Sequence, residues 1–140
     1  MPDRPRFTAG RNIALKVPPQ HTTATEAFYR DVLGLPLLGR TAPSPDFPLG
    51  SAAFGFGPGR LWVDTVAHRS RGDVWLQVVV DDLGEATGHL ARAGVALRDE
   101  LEPLGGFPGH WICDPAGNVV LVAQAGADTA LPGEAGAAAP

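Results

Sequence analysis

The chain has 140 residues, of which 44% are apolar and 19% are charged, and this length fits one compact domain or two small modules. A formal net charge of −4 and the lack of a basic patch argue against a nucleic-acid partner and against an anionic membrane. The single cysteine, Cys113, excludes an internal disulfide and a zinc site built from cysteines. The 18 glycines and 14 prolines favour short strands joined by tight turns over a helical bundle.

Both ends of the chain are predicted to lie outside the folded core. Residues 1–10 form a polar N-terminal arm that lacks the apolar segment of a secretion signal, and no apolar run is long enough to cross a membrane. Residues 126–140 are mostly Ala, Gly and Pro and bury too little apolar surface to become ordered, which predicts a flexible tail. We therefore expect a cytoplasmic protein without a membrane partner.

The first half of the folded part, residues 11–68, is predicted to run strand, helix and three strands. A strand with alternating apolar residues covers 12–17, and a capping box at Thr23 and Glu26 begins a helix that ends at Gly34. Three extended segments separated by glycine and proline follow, at 37–41, 51–56 and 61–66.

The second half, residues 69–125, repeats this order of elements. A strand covers 74–80, and a helix capped by Asp82 ends at Gly94. Three strands follow, at 95–101, 109–113 and 118–124, the last two joined by a turn that begins at Asp114. A repeat of this length predicts an α+β fold of two stacked units that complete each other's core.

Three motifs, in this order along the chain, resemble the vicinal oxygen chelate superfamily, which includes glyoxalase I, bleomycin-resistance proteins and extradiol dioxygenases. The motifs are FYRDVLGL at 28–35, VDDL at 80–83 and DPAGN at 114–118. The resemblance covers about residues 12–124. It implies two βαβββ modules whose strands curve into an eight-stranded cup, and it implies a homodimer. Whether one chain or two chains build each cup stays open.

In metal-binding members of that superfamily, His or Glu side chains point into the cup from the first and last strand of each module. The resemblance places these positions at Asn12, Val63, Trp75 and Leu121. A catalytic metal needs about three protein ligands, and of these four side chains only the Asn12 amide offers an oxygen. We therefore predict no metal and no other cofactor.

The aromatic residues instead predict a small-molecule site. Trp75 and Gln77 share the strand face opposite the helix, so they should project into the cup. Strand parity around Trp62 and Trp111 stays open. The predicted ligand-binding set combines aromatic rings, polar groups and the positions of the superfamily's metal ligands: Asn12, Lys16, Phe54, Phe56, Val63, Trp75, Gln77, Phe107, His110, Trp111 and Leu121.

Three functions are consistent with these residues. The first is a metal-free protein that sequesters an apolar or aromatic ligand, such as an antibiotic or another natural product. The second is an enzyme, either a lyase or dioxygenase with relocated metal ligands or a metal-free catalyst that uses His110 or Asp64; no catalytic residue is assigned. The third is a structural or regulatory relative whose own side chains fill the cup. We favour the first, because sequestration requires affinity but no chemistry.

Overall fold

The computed structural model describes residue 6 and residues 11–45, 47–67 and 74–127. By its internal contacts, the chain divides into two compact units, residues 1–68 and 69–140. The predicted arm at 1–10 and the predicted tail at 126–140 fall almost entirely outside the described residues. Within the described ranges, no helix is long and apolar enough to cross a membrane.

The first unit is a four-stranded sheet with one helix. Its elements are β1 (Asn12–Val17), α1 (Pro19–Ala27), β2 (Leu37–Thr41), β3 (Ser51–Phe56) and β4 (Gly59–Thr65). The strand order is β1-β4-β3-β2, with β1 parallel to β4 and the other pairs antiparallel. The predicted order of strand, helix and three strands is therefore confirmed for this half.

Helix α1 begins earlier than the sequence predicts. Pro18 is the N-cap residue and Pro19 occupies the first turn, where its fixed φ angle suits a helix and its missing N–H costs nothing. The predicted start at Thr23 is therefore wrong. The helix continues into a π-helical turn, Phe28–Val32, and Gly34 ends it with a φ of +69°.

The π-helical turn brings two adjacent aromatic side chains into the core of the first unit. Phe28 and Tyr29 are both buried and pack edge to face, with ring centroids 5.1 Å apart. The Tyr29 ring lies 6.3 Å from that of Phe54 on β3. The sheet face on this side of the unit is apolar and includes Leu15, Leu61 and other fully buried residues. Its opposite face is the one that remains open.

The second unit is a three-stranded sheet with one helix. Its elements are β5 (Trp75–Val80), α2 (Leu83–Arg92), β6 (Gly109–Cys113) and β7 (Val119–Gln124), and the strand order is β5-β7-β6. As in the first unit, the first strand runs parallel to the last. Asp82 caps α2 as predicted, because its Oδ1 accepts a hydrogen bond from the Glu85 amide at 3.0 Å.

The predicted strand at 95–101 is wrong, so the described residues form seven strands rather than the expected eight. A turn interrupts this segment, since the Leu101 amide donates to the Arg98 carbonyl at 3.0 Å. The Arg98 amide still donates to the Trp111 carbonyl at 2.6 Å, which holds the segment against the free edge of β6. One such bond does not make a strand.

The turn between β6 and β7 is the most densely hydrogen-bonded connection of the second unit. Asp114 Oδ1 accepts from the Ala116 and Asn118 amides, both at 2.9 Å, and Gly117 adopts a φ of +93°. Asn118, which is 1% exposed, donates from Nδ2 to Asp114 Oδ2 at 2.8 Å and accepts from the Val74 amide at 3.3 Å. Its side chain therefore joins the hairpin to the entrance of β5.

Replacing this asparagine tests the role of the connection. Asn118→Ala should lower the free energy of unfolding by about 1–3 kcal/mol, because it removes the hydrogen bonds of a buried side chain to the Asp114 carboxylate and to the Val74 amide. Gln77→Ala, on an exposed position of the same sheet, should change it by less than about 0.5 kcal/mol. Urea unfolding of both variants measures the difference, and equal stabilities would contradict this role.

Candidate ligand-binding site

The first unit has a cavity of about 430 Å³ on the open face of its sheet. Its walls come from all four strands of that sheet and from the segment that joins β2 to β3. The lining residues are Ala14, Thr41, Ala42, Ser44, Phe47, Ser51, Trp62 and Asp64. Small side chains line much of this surface, so the two aromatic rings and the carboxylate supply most of its chemical character.

The pairing of β1 with β4 places Trp62 in this cavity. Ala14 lies beside Trp62 in the parallel register, and the Trp62 indole Nε1 donates to Asn12 Oδ1 at 2.8 Å. The parity that the sequence left open is thereby resolved, since Trp62 shares a face with Asn12. Val63 points the other way and is 0% exposed, so its predicted place in the site is wrong.

Two further predicted residues also lie on the apolar face of the first sheet. Phe54 is fully buried near Tyr29, and Phe56 follows it two positions along β3, on the same face. The cavity-facing positions of β3 are instead occupied by small residues, starting with Ser51. Strand alternation therefore removes both phenylalanines from the cavity.

Lys16 and Asp64 form an ion pair beside the cavity. The two residues are register partners in β1 and β4, and Lys16 Nζ donates to Asp64 Oδ2. The Lys16 ammonium also lies 5.2 Å from the centroid of the Phe47 ring, within range of a cation–π interaction. Asp64 is 7% exposed, whereas the Lys16 side chain is 44% exposed. Of the two, only Asp64 lines the cavity.

In the second unit, four predicted residues share one sheet face, which we call the tryptophan face. Gln77 and Trp111 are both register partners of Leu121, and Trp75 lies two positions before Gln77 on β5. The Trp75 and Trp111 rings pack edge to face, with centroids 5.0 Å apart and an interplanar angle of 72°. Trp111 is 9% exposed, but Trp75 is 45% exposed.

Hydrogen bonds and a glycine hold the tryptophan face in place. The Trp111 indole Nε1 donates to the Glu102 carbonyl at 2.9 Å, which fixes the orientation of the ring. A Cβ atom on Gly109 would lie 3.2 Å from both the Phe107 ring and the Leu121 side chain. Glycine at this position therefore leaves room for both side chains to approach the β6 backbone.

His110 does not belong to the tryptophan face, because strand alternation turns it to the opposite side from Trp111. Its Nδ1 lies 2.7 Å from Asp99 Oδ2, while Asp99 Oδ1 accepts from the Trp111 amide at 2.9 Å. Burial raises the pKa of Asp99, but these two hydrogen bonds outweigh burial and hold it below its ordinary value.

The residues at the family's metal positions do not fit a divalent metal ion. The Asn12 amide oxygen already accepts a hydrogen bond from Trp62, while Trp75 and Leu121 carry no metal-binding atom. Among the described residues, no group of three or more His, Cys, Asp or Glu side chains is placed to hold a metal.

Sequence reasoning missed Trp62 and Ser51 as cavity residues, and it considered Asp64 only as a possible base. A usable signal was present, because the charged Asp64 alternates with the uncharged Val63 and Thr65 along β4. A charged residue belongs on the open face of such a strand, and Trp62 must then share that face with Asp64.

The fold is similar to those of several solved structures. Lactoylglutathione lyase from Agrobacterium tumefaciens is 24% identical, with a TM-score of 0.62 over 86% of this chain and 96% of that chain. TnmS3, an antibiotic-binding protein from Streptomyces sp. CB03234, is 18% identical, with a TM-score of 0.63 over 86% and 98%. Glyoxalase I from Leishmania major is 16% identical, with a TM-score of 0.65 over 84% and 87%. At these identities the likeness shows the fold alone.

The sequence itself determines the family. No curated protein matches the chain significantly. The sequence profile of the Glyoxalase/Bleomycin resistance protein/Dioxygenase superfamily, however, matches residues 14–122, which is most of the chain and includes strands of both units. The chain therefore belongs to the Glyoxalase/Bleomycin resistance protein/Dioxygenase superfamily.

Proposed function

We propose that this protein binds a flat apolar or aromatic small molecule, such as an antibiotic or another natural product, without altering it chemically. One observation carries the proposal: Trp75 packs edge to face with Trp111, yet 45% of the Trp75 surface remains exposed. An indole ring that is held in place but uncovered is a suitable surface for a flat ligand, because little side-chain freedom is lost on binding.

The polar groups near this ring support binding rather than reaction. Gln77 extends from the same face and offers both a donor and an acceptor that can orient a ligand. The remaining neighbours, Leu121 and Phe107, are apolar. A few polar groups on an apolar wall are typical of small-molecule sites. The structural similarity to an antibiotic-binding protein is consistent with this function.

The cellular setting of this function stays a prediction. The resemblance implies a homodimer, which sedimentation equilibrium would measure directly. We predict a cytoplasmic location. A role in antibiotic resistance requires in addition that the ligand is a toxic compound that enters the cell. Survival of cells that express the protein, in the presence of a compound it binds, would test that role.

Truncating the exposed tryptophan tests the proposed site. Isothermal titration with planar natural products, such as anthraquinones and flavonoids, should identify ligands whose affinity falls by about 10–100-fold in Trp75→Ala, because one aromatic contact contributes about 1–3 kcal/mol. Leu97→Ala removes another exposed apolar side chain, outside the tryptophan face, and should leave the affinity unchanged. If Trp75→Ala binds every ligand as tightly as the wild type, the site is assigned wrongly.

The Asp99–His110 pair supports a second candidate function, metal-independent acid–base catalysis. A carboxylate that is hydrogen-bonded to Nδ1 sets the tautomer of a histidine and leaves Nε2 to exchange a proton with a substrate. This pair lies apart from the tryptophan face, which makes catalysis the weaker candidate. Conversion of a ligand during incubation, lost in His110→Asn, would favour it over simple binding.

The same pair predicts a pH dependence. Since the pKa of Asp99 is lowered in the folded protein, its contribution to stability is present above the unfolded pKa of about 3.9 and is lost as pH falls through the folded value. In His110→Ala the pKa of Asp99 should rise, because one of its hydrogen bonds is gone while its burial remains. Carboxyl ¹³C NMR titration measures this shift, with His21→Ala as the control. An Asp99 titration identical in wild type and His110→Ala would contradict the assignment.

A further inference from the structure

The cavity of the first unit contains a carboxylate that the proposed function does not use. Asp64 lines this cavity and is 7% exposed. Its Oδ2 accepts from Lys16, while its Oδ1 accepts no hydrogen bond within the described part of the chain. Oδ1 is not itself fully buried, so it reaches the cavity, where a ligand can donate a charge-assisted hydrogen bond to it.

The other walls of the cavity are aromatic or carry hydroxyl groups. Phe47 and Trp62 present ring surfaces, and the hydroxyls belong to Thr41, Ser44 and Ser51. No Lys, Arg or His side chain is among the described lining residues, so a ligand in the cavity meets one anionic acceptor and two aromatic rings. This combination attracts a cationic N–H donor, through the carboxylate and through cation–π contact.

The Lys16 side chain already makes both kinds of contact within the protein. Its ammonium group binds the Asp64 carboxylate and lies 5.2 Å from the centroid of the Phe47 ring. A ligand cation would make the same two contacts. Because the Lys16 side chain is 44% exposed and flexible, its ammonium can move into water when another cation takes its place.

We propose that this cavity binds a monocationic aromatic group, such as an aromatic amidinium or a protonated arylmethyl amine. The cation donates to Asp64, its ring contacts Phe47 and Trp62, and Lys16 competes with it for the carboxylate. This inference rests on the proposed small-molecule function and gives it a chemical class of ligand. The cavity and the tryptophan face would bind ligands of different chemistry, because the tryptophan face offers no carboxylate on its shared strand face.

Three probes of nearly equal size and shape test the charge preference: benzamidine, benzamide and benzoate, which carry charges of about +1, 0 and −1 at about pH 8. The Trp62 indole N–H signal in ¹⁵N NMR spectra, assigned with Trp62→Phe, reports binding in the cavity. Benzamidine should shift this signal with an affinity about tenfold higher than that of benzamide, and benzoate should bind most weakly.

Two variants isolate the carboxylate and its internal competitor. Lys16→Met should strengthen benzamidine binding by about tenfold, because it frees Asp64. Arg60→Met removes an equal charge from an exposed position on the same face of β4, so it controls for the general field and should change the affinity less than about threefold. Asp64→Asn should abolish the preference for benzamidine over benzamide. Lys16→Met keeps the test valid even if Asp64→Asn fails to fold.

The proposal is overturned if benzoate binds tightest, if Lys16→Met weakens benzamidine binding, or if no probe shifts the Trp62 signal. None of these results would affect binding of planar natural products at Trp75, which titration with Trp75→Ala measures separately. Conversely, benzamidine binding at Trp62 in a protein that binds nothing at Trp75 would support the proposed cavity site and contradict the proposed site at the tryptophan face.

Discussion

Each unit pairs its first strand in parallel with its last strand, and this pairing decides which side chains share a face. In the first unit it aligns Ala14 with Trp62 and Lys16 with Asp64. In the second unit it aligns Gln77 with Leu121. A shift of one residue in either pair would exchange the buried and open faces, so the cavity and the tryptophan face both depend on this register.

The open faces of the two units have different chemistry, although their elements follow one order. The first unit offers a carboxylate, an ammonium group and hydroxyls around two aromatic rings, whereas the second offers two tryptophans with a single amide nearby. In both units an indole ring is oriented by a hydrogen bond, from Trp62 to Asn12 and from Trp111 to Glu102. Fixed aromatic rings supply contact area to a ligand at little cost in side-chain freedom.

Much of the fold could be predicted from the sequence, because strand alternation and glycine at the helix ends are local signals. β1, β2, β3 and β6 begin and end where predicted. The start of α1 was missed because two consecutive prolines were interpreted as the end of β1, whereas the second also suits a first helical turn. The segment at 95–101 was interpreted as a strand from its composition, although a turn at Arg98 interrupts it.

The candidate site was harder to predict, because it depends on register between distant strands. Trp75, Gln77, Trp111 and Leu121 were predicted together, and they share one face. Val63 enters the predicted set only through the resemblance, whereas the charge of Asp64 two positions after Trp62 favours Trp62 for the open face. His110 was placed by its proximity to Trp111 in the sequence, whereas neighbours on a strand face opposite ways. The Lys16–Asp64 pair joins strands far apart in the chain, so only the structure reveals it.

The proposed function requires that oriented indole rings, and not a metal ion, form the binding site in this member of the superfamily. The most direct test is the metal content of the protein, purified without chelator from medium supplemented with zinc, nickel, manganese and iron, by inductively coupled plasma mass spectrometry. We expect far less than one metal ion per chain. A stoichiometric divalent ion would contradict it, because the described residues provide no donor set for such an ion.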